Sequence, residues 1–235
     1  MKYIASISFG KDSLAMLLKI IEKKLPLDEV VFCEVMTNDD ESAEFPEMKE
    51  FINNTEKLLK EKYDITVKHV RSEYTFESVF YQKKQRGKFK GTNYGFPMTL
   101  KAWCNDRLKM KPLDNYFKSQ GNHTRYIGIA ADEPKRLARL EKNELAPLAM
   151  YGIDEEQAKQ ICIDNNMLAP LYSKFKRIGC WFCPKQNLKT LRVLRKEYPK
   201  LWEKLLKWQK DSNTSFKIRY TMQELEEKFS NEDFQ

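Results

Sequence analysis

Histidine and glycine are scarce in this chain, and long apolar runs are absent. Histidine occurs only as His69 and His123 among 235 residues, and no Ser/His/Asp array can be assembled around either. Of the eight glycines, Gly10 is the only one before Gly87, so the glycine-rich dinucleotide fingerprint fails. No uninterrupted apolar run approaches the roughly 20 residues that a membrane-spanning helix needs. Met1–Lys24 is apolar but broken by Lys11 and Asp12, which reads as neither signal peptide nor span. A cytoplasmic protein without a membrane partner is therefore expected. The five cysteines are an odd number. In a large domain with no export signal, such cysteines are more often free, metal-binding or catalytic than paired.

Charge and apolar content are both ample. Hydrophobic residues make up 41% of the chain, and 42 Lys+Arg against 34 Asp+Glu leave a net charge of +8. The length suits one domain, or a domain with an extension. The excess of positive charge favours an anionic partner such as a nucleotide or nucleic acid.

Lys2–Ser8 reads as a short strand that stops at Phe9-Gly10. Leu14, Leu17, Leu18 and Ile21 then fall at helical spacing, giving strand, tight turn, helix. Val30–Val35 is a second strand, and Pro46 opens a helix whose face carries Phe51, Ile52, Thr55, Leu58 and Leu59. Ile65–Val70 and Arg125–Ala130 read as third and fourth strands. The alternation predicts a Rossmann-like α/β fold with a mostly parallel sheet and helices on both faces. Ligands of such sheets sit beyond the strand C-termini. Tyr81–Thr99 reads as a mobile basic loop, and Gln186–Asp211 as two helices broken at Pro199. We divide the chain into an α/β part at 1–170 and a basic helical extension at 171–235.

Ser8-Phe9-Gly10-Lys11-Asp12-Ser13 joins the first strand to its helix, where backbone N–H groups and the helix dipole favour phosphate. Gly10 permits close approach, Lys11 adds charge, and Ser8 and Ser13 offer hydroxyls. The mononucleotide P-loop pattern fails, because it needs Gly at Ala5 and Ser or Thr at Asp12. The segment resembles the pyrophosphate loop S-x-G-x-D-S of the N-type ATP pyrophosphatases, which cleave ATP between its α- and β-phosphates. Glu44-Phe45-Pro46-Glu47 is similar to the acidic turn of the phosphoadenosine phosphosulfate reductase family. So is Gly128-Ile129-Ala130-Ala131-Asp132-Glu133 with Arg136 and Arg139 to its glycine–acid–arginine segment. Pro170-Leu171-Tyr172 and Arg177–Pro184 complete a match running from Lys2 to Tyr198.

The resemblance implies an adenine nucleotide alpha hydrolase-like fold that binds ATP and Mg²⁺. It implies phosphate contacts from Ser8, Phe9, Gly10, Lys11, Asp12 and Ser13, and puts Thr37 near the adenine. Gly128, Asp132, Glu133, Arg136 and Arg177 would complete the site, with Lys11, Asp12, Asp132 and Arg136 catalytic. Asp12, Asp39 and Asp132 are all candidates to orient the metal ion. The chain departs from sulfonucleotide reductases in two ways. Their loop usually lacks the equivalent of Lys11, and they carry a catalytic cysteine in a C-terminal tail, whereas no cysteine follows Cys183 here. The intact loop points instead to ATP activation of a substrate oxygen ahead of sulfur transfer. The acceptor would be a group on a nucleic acid such as tRNA or DNA, and a cysteine desulfurase or another donor would supply the sulfur. A thiol-dependent sulfonucleotide reductase and a catalytically idle adenine-nucleotide-binding module are the alternatives.

Cys180-x-x-Cys183 is a compact two-ligand unit. With Cys104 it resembles the three-cysteine arrangement of cluster-bearing sulfur-transfer relatives, which implies a [4Fe-4S] cluster with one open iron; zinc is the alternative. Arg107, Lys109, Arg177 and Lys185 neighbour these cysteines in sequence and would favour thiolates. Cys33 and Cys162 read as core. Between Leu171 and Tyr220, fourteen Lys and Arg face three acids. Trp181, Tyr198, Trp202 and Trp208 are interleaved there, either to stack on bases or as part of a core stripe whose opposite face is solvated.

Overall fold

The computed structural model describes residues 1–98 and 102–233. Strands β1 (Lys2–Ile7), β2 (Glu29–Glu34), β3 (Val67–Arg71), β4 (His123–Ile127) and β5 (Glu144–Leu145) form one sheet in the order β3-β2-β1-β4-β5. β1 pairs in parallel with β2 and β4, and β4 with β5. Val30, Val31, Phe32 and Cys33 form a continuous buried run in β2, as expected of a strand covered on both faces. β3 lies at the sheet edge and is nowhere fully buried.

Helices α1 (Lys11–Glu22), α2 (Pro46–Tyr63), α3 (Phe76–Phe80), α4 (Lys111–Ser119) and α5 (Glu155–Asp164) accompany the strands. α6 (Leu188–Glu197), α7 (Pro199–Asp211) and α8 (Met222–Asp233) follow them. Pro199 starts α7 at a position where its missing N–H is not needed. No helix among the described residues is long and apolar enough to cross a membrane.

The chain divides into two compact units: Met1–Glu34 with Pro46–Val70 and Pro112–Ile178, and Val35–Phe45 with Arg71–Lys111 and Gly179 onward. The first contains the sheet. Its core includes Ile4, Val31, Cys33, Leu113, Tyr116 and Phe117, so Cys33 is a core residue as expected. Since β1 leads through β2 to β3 on one side while β4 and β5 lie on the other, strand order reverses between β1 and β4. Ligands bind at such a switch point.

The second unit is built on aromatic rings. Phe76 packs on Phe182 at 4.0 Å and on Trp208 at 5.0 Å, and Trp181 stacks on Trp208 at 5.2 Å. Trp181, Trp202 and Trp208 are buried, and Tyr198 is nearly so. Of the two readings left open for these rings, base stacking and core, burial decides for core: Trp202 and Trp208 lie on the apolar stripe of α7, Tyr198 at its start, and Trp181 in the turn before α6. Several of the cations are also internally paired. Arg192 bonds Glu232, Arg195 bonds Glu226, and Lys204 meets Glu41 at 2.8 Å and Glu77 at 3.1 Å.

The segment expected to be a mobile loop is folded on itself. Lys83 and Asn93 form an antiparallel bridge, and Lys84 N–H donates to the Thr92 carbonyl at 2.9 Å. Thr99, at the end of that segment, lies outside the described residues. Strand boundaries shift by one residue in β1 and β2 and by more in the others: β4 begins at His123 and ends at Ile127, so Gly128–Ala130 lie beyond it, and β3 is Val67–Arg71.

Candidate functional site

Within the first unit, the turn after β1 carries the expected loop. Phe9 holds a left-handed backbone conformation (φ 54°) and is fully buried, edge-on to Phe32 at 5.0 Å. A bulky residue there is strained by about 1–3 kcal/mol, so packing of its ring on β2 fixes the turn. Gly10 follows in extended conformation as the N-cap of α1, with no side-chain cap. The first intrahelical bond runs from Leu14 N–H to the Gly10 carbonyl. The amides of Asp12 and Ser13 precede it at the uncapped end, where donors and dipole attract an anion.

The serines hold the turn closed. Ser8 N–H donates to Ser13 Oγ at 3.0 Å, and Ser13 Oγ donates to the Gly10 carbonyl at 2.9 Å. Lys11 is gripped from several sides. Its N–H donates to the Tyr172 hydroxyl at 3.0 Å, and its ammonium meets Asp12 at 2.6 Å and Glu155 at 2.9 Å. Cys162 Sγ donates to its carbonyl at 3.2 Å. Glu155 and Cys162 are two turns apart on α5 and so share the face packed on α1. Burial works against the Lys11 charge, but the hydrogen bonds with Asp12 and Glu155 outweigh it and raise its pKa. Burial pushes the Asp12 carboxyl upward, against the pull of Lys11 and with further repulsion from Glu155 and Glu133. The Cys162 thiol is pushed up to about 12, chiefly by burial. It is a structural donor, consistent with its expected core position.

The turn after β4 closes on the same place. A side chain at Gly128 would put a Cβ 2.8 Å from Ser13 Cα and 2.9 Å from the Asp12 carbonyl; only glycine allows that approach. Glu133 accepts from Ala130 N–H at 3.2 Å and pairs with Arg136 at 2.7 Å. Asp132 accepts the Glu155 N–H at 3.2 Å, which anchors the start of α5. Ser8, Phe9, Gly10, Lys11, Asp12, Ser13, Gly128, Asp132, Glu133 and Arg136 are thus joined through contacts of two adjoining turns. Arg177 is exposed, and no described contact ties it to them. Thr37 belongs to the second unit and is fully buried; its Oγ1 donates to the Ser42 carbonyl at 3.1 Å and its carbonyl accepts from Glu77 N–H at 2.9 Å. Tyr172 and Glu155 are the residues whose part in the loop was missed. Neither lies near it in sequence, and only packing brings them to Lys11.

Cys104, Cys180 and Cys183 all lie in the second unit. The Cys180–Cys183 turn is closed by Cys183 N–H to the Cys180 carbonyl at 3.0 Å, and Gln186 Nε2 donates to the Cys180 and Trp181 carbonyls at 3.0 Å. Burial, then the Cys183 charge, raises Cys104 to about 11. Burial, with Glu44, Cys183 and Cys104, raises Cys180 well above its ordinary value. The expectation that neighbouring cations favour thiolates is corrected for these two: Lys185 and Lys109 pull the right way but less than burial pushes. Among the described residues no group of three or more His, Cys, Asp or Glu converges on a metal-binding geometry. As a donor set, three cysteine sulfurs suit a soft metal centre.

Residues 2–186 match the sequence profile of the phosphoadenosine phosphosulfate reductase domain. Two proteins of Methanocaldococcus jannaschii, both named as uncharacterized (MJ0066 and MJ0973), are 27% identical over 214 and 215 residues. These alignments cover 86% and 85% of this chain but only 40% and 45% of those proteins. The nin region protein ORF290 of Escherichia phage lambda is 51% identical over 47 residues, 19% of this chain and 16% of its own. The chain thus spans less than half the length of the relatives it matches. Among solved structures, the U34-tRNA thiolase NcsA from Methanococcus maripaludis with its [4Fe-4S] cluster aligns at 17% identity and a TM-score of 0.42. That alignment covers 98% of this chain and 71% of NcsA.

Proposed function

The chain belongs to the phosphoadenosine phosphosulfate reductase family, and on that premise we propose that it is an ATP pyrophosphatase that adenylates a substrate for sulfur transfer. The observation that carries this reading is the uncapped start of α1 at the sheet's switch point, with Lys11 held beside it. A substrate carbonyl oxygen attacks the α-phosphorus of ATP. The bond to the bridging oxygen breaks, and pyrophosphate leaves with that electron pair. The amides of Asp12 and Ser13 and the Lys11 ammonium take up the charge that develops on the leaving group, a stabilisation larger in the transition state than in bound ATP. Asp12 and Glu155 bridge Lys11 without ligand, and an entering diphosphate competes with them for that ammonium. Gly128, pressed on the first turn of α1, keeps the amides aimed.

Mg²⁺ would find hard oxygen donors in Asp12 and Glu155, and when bound it neutralises phosphate charge. Cys104, Cys180 and Cys183 would hold an iron–sulfur cluster, or zinc, and a three-thiolate cluster leaves one iron open to exogenous sulfur. A nucleic-acid acceptor, tRNA or DNA, and a sulfur donor such as a cysteine desulfurase complete the proposal.

The test is incubation of the protein with α-labelled ATP and candidate RNA or DNA. We expect pyrophosphate and adenylated acceptor in equal amounts, with AMP released only when a sulfur nucleophile then displaces it, and Lys11→Ala should slow pyrophosphate formation by about 10²–10³-fold, the effect of removing one transition-state contact. Sulfite released from phosphoadenosine phosphosulfate without ATP turnover would overturn the reading in favour of a reductase. Nucleotide binding with neither pyrophosphate nor adenylated product from any acceptor would overturn it in favour of an idle binding module.

A further inference from the structure

The second unit carries a basic hairpin that the adenylation reading does not use. Its arms run from Tyr81 and back to Gly95, joined by Lys84 N–H to the Thr92 carbonyl at 2.9 Å, Gly91 N–H to the Lys84 carbonyl at 2.8 Å, and Tyr94 N–H to the Gln82 carbonyl at 2.9 Å. Gly87 and Gly91, both at φ 82°, turn the tip. The hairpin is anchored at its base: Asn93 Nδ2 donates to the Asp211 carbonyl at 2.9 Å, and the Tyr81 hydroxyl to the Asp211 carboxylate at 2.8 Å.

Five cations, Lys83, Lys84, Arg86, Lys88 and Lys90, crowd this short hairpin, and no acid occurs between Glu77 and Asp106. None of the five is in a described ion pair. Like charges held this close repel one another unless an anion joins them. At the tip Phe89 is 54% exposed, with Lys84 and Lys88 ammonium groups 5.4 and 6.0 Å from its ring centre. From the base the charge continues. Tyr81 lines a groove of about 470 Å³ with Lys200, Lys204 and Lys207 of α7 and the carboxylates of Glu77 and Glu203. Lys204 is paired with Glu41 and Glu77, whereas Lys200 and Lys207 are exposed.

We propose that this hairpin and the adjoining lysines of α7 dock an RNA at an unpaired loop. Its phosphates follow the cations from the hairpin to Lys207 and Lys200, and one splayed base stacks on Phe89. Phosphate contacts and aromatic stacking together suit single-stranded nucleic acid, and folded RNA presents unstacked bases at its loops. A duplex buries its base faces and offers Phe89 nothing to stack on. An acidic membrane would find only Phe89 and the less exposed Tyr81 on an otherwise polar hairpin, too little apolar surface to enter the interface.

The inference rests on the nucleic-acid acceptor of the adenylation reading and is tested without ATP, so that RNA docking and ATP cleavage can fail separately. Fluorescence anisotropy of the full chain is measured with a labelled RNA stem–loop over a range of salt. The same measurement is made with a fully paired RNA, the same sequence as single-stranded DNA, and vesicles of neutral and acidic phospholipid. The stem–loop should bind best. Lys84→Gln/Lys88→Gln/Lys90→Gln should lower the slope of log affinity against log salt by about 2, at roughly 0.7 per phosphate contact on a single strand. Phe89→Leu should weaken binding by roughly 5- to 150-fold, the range seen when one stacking aromatic is lost, with the slope unchanged. Lys57→Gln, on α2 in the first unit, should change neither. Circular dichroism confirms that each variant is folded. Equal affinity for DNA or duplex, preference for the vesicles, or stem–loop binding indifferent to the hairpin variants would overturn the proposal.

Discussion

Two glycines separate the part of the β1 turn that holds the fold from the part proposed to receive a nucleotide. In Gly128→Ala the new Cβ would sit 2.8 Å from Ser13 Cα and 2.9 Å from the carbonyl carbon and oxygen of Asp12. These are backbone atoms of α1's first turn and cannot swing aside, so the helix start must move. Forcing a methyl group into packed structure costs about 1–3 kcal/mol, which lowers the melting temperature by roughly 2–12 °C in a chain of this length. The same shift misaims the Asp12 and Ser13 amides, so nucleotide affinity should fall as well. In Gly10→Ala the Cβ would meet only the Tyr172 hydroxyl at 3.4 Å and Ser8 Oγ at 3.5 Å, and the backbone there is extended (φ −79°). The fold should therefore hold within about 2 °C, while the methyl group occupies the space over the amides and cuts nucleotide affinity at least about tenfold. Thermal melts and calorimetric titration with α,β-methylene ATP, which resists cleavage, read the two effects separately. A Gly128→Ala protein as stable as the parent would refute the close approach of the two turns. A Gly10→Ala protein that binds nucleotide undiminished would show that phosphate does not sit on this turn.

Two further expectations follow from the second unit. Glu226 is held at about 2, against an ordinary 4.5, first by the Arg195 hydrogen bonds, against burial, and then by Trp202 and Ser230. A carboxylate depressed on folding stabilises above its ordinary value and loses that contribution as pH falls toward its folded value. Unfolding followed by circular dichroism should show stability declining between pH 4.5 and pH 2, and Glu226→Gln should flatten that stretch; an identical profile would rule out the clamp. For the cysteines, anaerobically purified protein should carry iron or zinc. Replacing Cys104, Cys180 and Cys183 together by serine should abolish it, while Cys33→Ser should not; metal retained by the triple variant would exclude the trio as ligands.

The alternation of short apolar strands with amphipathic stretches was enough to predict the parallel α/β sheet, because two-sided burial writes itself as continuous runs such as Val30–Cys33. The turn between β1 and α1 was equally legible, since its residues are consecutive and the chemistry of Gly10, Lys11 and the two serines is local. Chain order could not say that Tyr172 and Glu155 close on Lys11, or that Gly128 touches Ser13; these contacts exist only after α5 and the β4 turn pack on α1. Nor could it assign the tryptophans. An aromatic between lysines reads alike whether it faces a base or a core, and only the packing of Phe76, Trp181, Phe182 and Trp208 decided for the core. The same packing left Phe89 outside, on a hairpin whose arms pair through backbone hydrogen bonds that composition does not reveal.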